Sequence, residues 1–114
     1  MKHLQAVLIL STCPQLEDAK KLAYLLVENQ LAACVNIIPQ LLSVYRWENK
    51  IEHSNEYLLL IKTHVDAYER VEEMILKNHP YELPEILMVP IQDGLPQYLT
   101  WINQGVSHVD FKNS

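Results

Sequence analysis

The chain of 114 residues has room for one domain, and its 49% apolar and 20% charged residues are typical of a globular protein. Fourteen acidic against nine basic side chains give a net charge of −5, which argues against a nucleic-acid partner. Two glycines are too few for a glycine-rich phosphate loop. We therefore expect a single domain over residues 1–114 that binds no nucleic acid.

The N-terminal region favours a cytoplasmic protein. A short apolar run at 4–10 leads directly into Ser-Thr-Cys-Pro at 11–14, without the longer apolar region and cleavage site of a signal peptide. No stretch approaches the roughly 20 apolar residues that a membrane helix needs. The two cysteines, Cys13 and Cys34, do not suggest a disulfide scaffold. We expect a reduced, cytoplasmic chain with no membrane partner.

In chain order, the first predicted elements are a strand and a helix. The apolar run at 4–10 is typical of a buried strand. Pro14 suits the first position of a helix that continues to about Asn29, because apolar residues then recur at three- and four-residue steps. Glu17 and Asp18 fall in its first turn, where the helix dipole favours acidic side chains.

A long hairpin is predicted next. Residues 31–38 form a second strand, and Pro39 requires an edge position or a bulge there. Residues 41–47 continue toward a turn over Glu48-Asn49-Lys50, in which Asn49 is best suited to positive φ. The return strand ends at residues 57–62.

The second half predicts another helix, a strand and a last helix. Asp66 and Glu69 form a candidate capping pair before a helix over about 67–78. His79-Pro80 ends that helix, because proline disfavours helical geometry in the residue before it. Residues 85–91 predict a fourth strand, and residues 96–104 predict a short helix.

The order β-α-β-β-α-β plus a C-terminal helix predicts an α+β, ferredoxin-like fold, in which helices cover one face of an antiparallel sheet. The strands at 4–10 and 57–61 are almost wholly apolar, so both faces of the sheet are expected to be buried. Since one chain supplies helices for one face only, we expect a cyclic trimer or dimer to cover the other.

Cys13 is the first candidate for chemistry. It lies at the predicted N-cap of the first helix, where unpaired backbone N–H groups lower the pKa of a thiol. A metal-binding or redox-sensitive thiolate is one interpretation, and a small apolar residue in a strand–helix turn is the other. Cys34 lies within a strand and is interpreted as a core residue.

The segment from His79 to Glu85 is the densest in functional residue types. Its two prolines predict a rigid loop, His79 offers an imidazole of the kind that binds Zn and Cu, and Glu82 can bind a metal or orient the ring. The alternative is a helix-ending turn with a packed Tyr81 and solvated carboxylates. A second histidine at metal-ligand spacing is missing, so a metal site built from one chain alone would be weak.

Tyr45 and Trp47 near the hairpin tip predict contact with a ligand or a neighbouring subunit. Lys62 at the predicted end of the third strand is interpreted either as an anion-binding group or as a lysine lying along the sheet edge. An acylphosphatase-like hydrolase is disfavoured, because the two arginines, Arg46 and Arg70, lie on the hairpin and on a helix rather than in a phosphate cradle.

Six ordered motifs together resemble the CutA family of divalent-cation tolerance proteins, and the resemblance covers residues 5–105. The motifs are Ser-Thr-Cys-Pro at 11–14, Leu-Ala-Ala-Cys-Val-Asn-Ile-Ile-Pro at 31–39, Ser-Val-Tyr-Arg-Trp-Glu-Asn-Lys-Ile at 43–51, Ile-Lys-Thr at 61–63, His-Pro-Tyr-Glu-Leu-Pro-Glu at 79–85 and Tyr-Leu-Thr-Trp at 98–101. The resemblance implies a non-enzymatic, cytoplasmic homotrimer, similar in shape to the PII signalling proteins and linked to copper and divalent-cation tolerance.

The resemblance also implies a metal site. The family's copper ligands fall on Ser11, Asn78 and His79, and of these only His79 has a side chain that binds copper well. Cys13 would take the place of the missing thiolate, since a soft thiolate and an imidazole suit copper. The expected site is His79 with Cys13 and Glu82, holding Cu(II) or another divalent cation weakly.

A PII-like signalling or scaffold role is the alternative function. In that hypothesis a small anion or a partner segment occupies clefts between subunits, formed by the hairpin and the His-Pro-Tyr loop. The lining residues would be Trp47, Lys62, Tyr81 and Glu85.

Overall fold

The computed structural model describes residues 5–108. The elements are β1 (Ala6–Cys13), α1 (Leu16–Glu28), β2 (Cys34–Trp47), β3 (Lys50–His64), a 3₁₀ turn (Val65–Ala67), α2 (Tyr68–Asn78), β4 (Leu87–Pro90) and α3 (Pro96–Gln104). The strands form one antiparallel sheet in the order β2-β3-β1-β4. The predicted α+β, ferredoxin-like arrangement of strands and helices is therefore confirmed.

The core lies between one face of the sheet and helices α1 and α2. Alternate residues of β1 and β3 point into it, as the two-residue period of a strand requires. The fully buried aliphatic side chains of this layer are Val7, Ile9, Leu59 and Ile61 from the sheet and Leu22, Leu26, Val71 and Ile75 from the helices. Each contributes about 1.5–3 kcal/mol by burial.

The second face of the sheet is partly covered by α3, so the expectation that helices cover one face only was wrong. Lys62 lies on the face opposite Ile61, since successive side chains of a strand alternate. Its Nζ donates a hydrogen bond of 3.1 Å to the Tyr98 hydroxyl of α3. Along the rest of this face, β1 and β3 side chains such as Leu10 and Leu60 stay partly exposed.

The first helix begins later than predicted. The strand β1 continues through Cys13, so α1 begins at Leu16 with Gln15 at its N-cap, and Pro14 lies in the connection. The predicted acidic first turn of Glu17 and Asp18 is confirmed.

The predicted capping pair of Asp66 and Glu69 was wrong. Asp66 lies in the 3₁₀ turn, and α2 begins at Tyr68 without a side-chain cap. The side chain that caps this region is the buried His64, whose Nδ1 accepts the backbone N–H of Asp66 at 3.1 Å. The cap is therefore His64 at the end of β3, whereas the sequence predicted an acidic side chain as the cap.

The hairpin satisfies both conditions expected for Pro39. Strand β2 lies at the sheet edge, and the β2–β3 register shifts between Ile38 and Leu41, with Gln40 at φ 62°. The turn is tighter than predicted, because Trp47 pairs with Lys50 and only two residues connect the strands. Asn49 has a positive φ, as predicted, with a value of 65°. Glu48 also has a positive φ, of 49°, and two successive positive φ angles suit the twist of a hairpin.

Large apolar side chains remain exposed at both edges of the sheet. Val44 and Trp47 of the hairpin are 64% and 63% exposed, and β4 exposes Leu87, Met88 and Val89 together. Within residues 5–108, no helix combines the length and apolar character needed to cross a bilayer. Both cysteines are free thiols.

Candidate functional site

The ring of His79 fastens the loop after α2 to the end of β1. Because Pro80 follows, His79 leaves helical geometry at ψ 140° and ends α2 as predicted. Its Nε2 lies 2.7 Å from the Thr12 carbonyl oxygen, and its Nδ1 accepts the N–H of Tyr81 at 3.0 Å. A carbonyl only accepts and an amide N–H only donates, so these two contacts place a proton on Nε2 and an accepting lone pair on Nδ1.

The thiol of Cys13 lies beside that ring, with 3.8 Å between Sγ and His79 Nε2. The structure therefore brings together two of the three predicted metal ligands. The pKa shift of the Cys13 thiol, however, is opposite to the one expected from the sequence. Cys13 is fully buried at the end of β1, away from the N-cap, and burial with the nearby charges of Asp18 and Glu56 raises the pKa of the thiol from 9.0 to about 12. Cys13 is thus protonated at neutral pH.

Next to this pair, a cleft of about 660 Å³ opens between the hairpin and the loop after α2, within the usual size of ligand sites. It is lined by Thr12, Tyr45, Trp47, Ser54, Glu56, Pro80, Tyr81, Glu82, Leu83 and Glu85. The predicted cleft residues Trp47, Tyr81 and Glu85 meet here, and so does the predicted metal ligand Glu82.

A buried carboxylate organises the floor of the cleft. Glu56 accepts a hydrogen bond of 2.9 Å from the Tyr81 hydroxyl and one of 2.7 Å from the Ser43 hydroxyl, one on each carboxylate oxygen. Burial and the bond to Glu56 raise the pKa of Tyr81 to about 12. Hence Tyr81 remains a donor and holds the loop against the hairpin.

The cleft is acidic. Among its described lining residues are Glu56, Glu82 and Glu85, and none is a lysine or an arginine. A site of this composition attracts cations or basic segments and disfavours anions.

Lys62 does not line the cleft, which corrects the predicted lining. Strand β3 continues to His64, so Lys62 is not at its end, and it lies six residues along the strand from Glu56, about 20 Å at 3.3 Å per residue. Its ammonium group bonds to Tyr98 and lies 5.3 Å from the centroid of that ring. The bond to Tyr98 raises the pKa of Lys62.

Of the remaining predicted ligand positions, Ser11 is fully buried, and its hydroxyl has no hydrogen-bond partner among the described residues. Asn78 donates to the Met74 carbonyl at 2.9 Å within its own helix. Neither replaces a metal ligand beside His79.

Sequence reasoning missed two groups. The bond of Ser43 to Glu56 depends on pairing across the β2–β3 hairpin, and the bond of Tyr81 to Glu56 depends on the loop after α2 packing against that hairpin. A group of His64, Asp66 and His108 also comes together, although these histidines appear isolated in the sequence.

The strand order β2-β3-β1-β4, with two crossover helices, a long hairpin and an acidic cleft beside it, defines a ferredoxin-like α+β protein. Comparison with known proteins gives the family. The chain belongs to the family of the CutA1 divalent ion tolerance protein, whose model matches residues 7–105.

Individual relatives agree. The divalent-cation tolerance protein CutA of Thermus thermophilus is 44% identical over 84% of this chain and 93% of its own length. Protein CutA of mouse is 44% identical over 82% of this chain, which spans only 52% of the mouse protein. The crystal structure of CutA1 from Oryza sativa superposes with a TM-score of 0.89 at 36% identity, covering 92% of this chain and 96% of that one.

The relatives differ in described location. The Arabidopsis thaliana relative, 42% identical over 89% of this chain, is called chloroplastic, and this chain spans 56% of it. The Archaeoglobus fulgidus structure, with a TM-score of 0.86 and 38% identity over 90% of this chain and 99% of that one, is called periplasmic. Family membership alone therefore assigns no compartment to this chain.

Proposed function

We propose that this chain acts in divalent-cation tolerance as a non-enzymatic, cytoplasmic homotrimer that binds Cu(II) or another divalent cation weakly at the acidic cleft. The observation that carries the proposal is the composition of the cleft: three carboxylates, no basic group among its described lining residues, and the Cys13–His79 pair directly behind it. The name of the Thermus relative, divalent-cation tolerance protein CutA, supports the role in cation tolerance.

The Cys13–His79 pair does not fit a tightly held resident metal ion. The thiol is protonated, and the nearer ring nitrogen donates its proton to Thr12. Metal affinity falls when the ligand atoms must first lose protons. Glu82 lines the cleft with its carboxylate exposed, so it is the most accessible of the three proposed ligands. These facts support weak, exchangeable binding.

The proposed trimer is supported by the exposed apolar edges of the sheet. The two edges are opposite: Val44 and Trp47 lie on the edge strand β2, and the exposed apolar residues of β4 lie on the other edge. Contiguous exposed apolar surface marks a protein interface. Two different edges that meet head to tail generate a ring when the rotation between subunits closes. Sedimentation velocity of the full chain tests whether the assembly is closed and has three subunits.

Calorimetric titration of Cu(II) in a weakly chelating buffer tests the site. We expect micromolar binding by the wild type and a loss of at least tenfold in His79→Ala and Cys13→Ser. Glu82→Gln is the sharper variant, because Glu82 is exposed and its replacement leaves the bond between His79 and Thr12 in place. His53→Ala, which removes an exposed histidine of the hairpin, is the matched control. Unchanged affinity in all three site variants would contradict the assignment.

A second candidate function is a signalling or scaffold role in which a partner segment occupies the cleft. The aromatic rings of Tyr45 and Trp47 beside carboxylates favour a segment that carries lysine or arginine. They do not favour the small anion considered from the sequence. Binding of a lysine-rich peptide that Trp47→Ala abolishes, without Cu(II) binding, would support this candidate over the first.

A further inference from the structure

Three side chains of the kinds that bind metals converge where β3 enters the 3₁₀ turn. Asp66 Oδ2 lies 3.4 Å from His64 Nδ1 and 3.6 Å from His108 Nδ1. The two imidazole rings meet edge to face, with 4.7 Å between their centroids. His64 is eight residues along β3 from Glu56, about 26 Å at 3.3 Å per residue, so this group is remote from the cleft.

The hydrogen bonds around the group show which ring nitrogens lack a proton in the neutral rings. His108 Nε2 lies 3.1 Å from the Asn103 carbonyl oxygen, which can only accept, so in the neutral ring the proton is on Nε2 and Nδ1 has a lone pair. His64 Nδ1 accepts the N–H of Asp66 and also has no proton in the neutral ring. Two imidazole nitrogens and a carboxylate oxygen therefore lie within 4.8 Å of one another, and a cation would bind the His64 Nδ1 lone pair in place of the Asp66 N–H.

Two of the three distances within the group match a tetrahedral metal site. With metal–ligand bonds of about 2.0–2.1 Å, tetrahedral ligand atoms lie about 3.4 Å apart. The two separations from Asp66 Oδ2 are 3.4 Å and 3.6 Å, and all three ligand atoms lie within 4.8 Å of one another. The carbonyl that orients His108 is the usual outer partner of a metal-binding histidine.

We propose that His64, Asp66 and His108 form a second divalent-cation site, separate from the cleft, that takes Zn(II) with two imidazoles, one carboxylate and an open fourth position. Two nitrogens and one oxygen are a donor set that suits Zn(II). The bound ion would fasten the segment after α3 to the turn before α2.

Two neighbouring groups limit the affinity. Binding displaces the hydrogen bond from the Asp66 N–H to His64, which costs up to about tenfold in affinity. The guanidinium group of Arg70, which donates to the carbonyl oxygens of Asp66 at 3.5 Å and Ser107 at 2.9 Å, adds a positive charge nearby. We therefore expect micromolar binding, weaker than that of a closed structural zinc site.

Titration of the full chain with Zn(II) alone tests the proposal, with calorimetry for affinity and visible absorption of bound Co(II) for tetrahedral geometry. His108→Ala and Asp66→Asn should each weaken Zn(II) binding at least tenfold and remove the tetrahedral Co(II) spectrum. Both residues are exposed, so both variants should fold, whereas His64 is 1% exposed and is left intact. His53→Ala is the exposed-histidine control, and His79→Ala reports on the cleft.

Each outcome decides between the sites. Loss of Zn(II) binding in His108→Ala, with binding kept in His53→Ala and His79→Ala, supports the proposal. Wild-type Zn(II) affinity in His108→Ala overturns it. Loss in His79→Ala alone also overturns it while leaving the proposed function standing. If no site binds Zn(II), and His108 is instead protonated and paired with Asp66, this group holds only a proton. That result overturns the proposal as well.

Discussion

The buried thiol of Cys13 should make the protein less stable as the pH rises above 9. Burial raises its pKa from 9.0 to about 12, so the folded chain keeps the thiol proton over a range in which the unfolded chain loses it. The unfolded state then binds fewer protons, and the free energy of unfolding falls with rising pH. Below the unfolded pKa of 9.0 the contribution is fully present, and it is lost progressively toward about 12.

One proton is worth at most about 1.4 kcal/mol per pH unit, so the wild type should lose about 1.4 kcal/mol at one unit above the unfolded thiol pKa. Cys13→Ala removes the titrating group. It also removes a buried sulfur atom, which costs about 1 kcal/mol at every pH. The variant should therefore be less stable at neutral pH, and its free energy of unfolding should depend less on pH in the alkaline range.

Chemical denaturation of wild type and Cys13→Ala between about pH 8 and pH 10, at one fixed protomer concentration, measures this difference. The upper limit matters because Tyr81, with a pKa raised to about 12, begins to contribute above the ordinary tyrosine value of 10.0. Cys34→Ala, at the partly exposed second cysteine, is the matched control. Equal slopes for wild type and Cys13→Ala would refute the reasoning.

Three further predictions concern packing and assembly. Gly105→Ala should lower the free energy of unfolding by about 1–3 kcal/mol, read from denaturant curves, because the new Cβ would lie 2.8 Å from the Ala33 Cβ. Ser11→Ala should raise the free energy of unfolding by up to about 1 kcal/mol, because it removes a buried hydroxyl without a partner among the described residues. A higher thermal midpoint would show this change. Val44→Lys should shift sedimentation toward monomer with unchanged circular dichroism, since Val44 is 64% exposed on the hairpin; an unchanged sedimentation profile would remove the hairpin from the interface.

Features that depend on local chemistry were predictable from the sequence. Pro39 fixed a bulge at an edge strand, Asn49 adopts positive φ in the hairpin turn, and Pro80 ends α2. The range predicted for the last helix, residues 96–104, matches α3, because Pro96 begins it and its apolar spacing is regular. The strand and helix order followed from these signals, and with it the ferredoxin-like fold.

Features that depend on pairing between distant segments were not predictable. The pairing of Cys13 with Tyr57 extends β1 to the end of the Ser-Thr-Cys run, which buries the thiol and raises its pKa instead of lowering it. Likewise, Lys62 was expected to share a site with Trp47, yet β3 carries the two apart. The local sequence indicates that a residue is of a type that can bind a ligand. The strand register determines which other residues lie near it.

The same register separates the two proposed cation sites. The cleft lies beside Glu56 near the middle of β3, whereas His64 ends that strand about 26 Å away. This is well beyond the Debye length of about 10 Å at 0.1 M salt, and substitutions so far apart usually have additive effects. His79→Ala and His108→Ala should therefore reduce cation binding independently, with the double variant losing the sum of the two. A coupling between them larger than about 0.5 kcal/mol would mean that the sheet itself, or assembly of the chains, transmits occupancy from one site to the other.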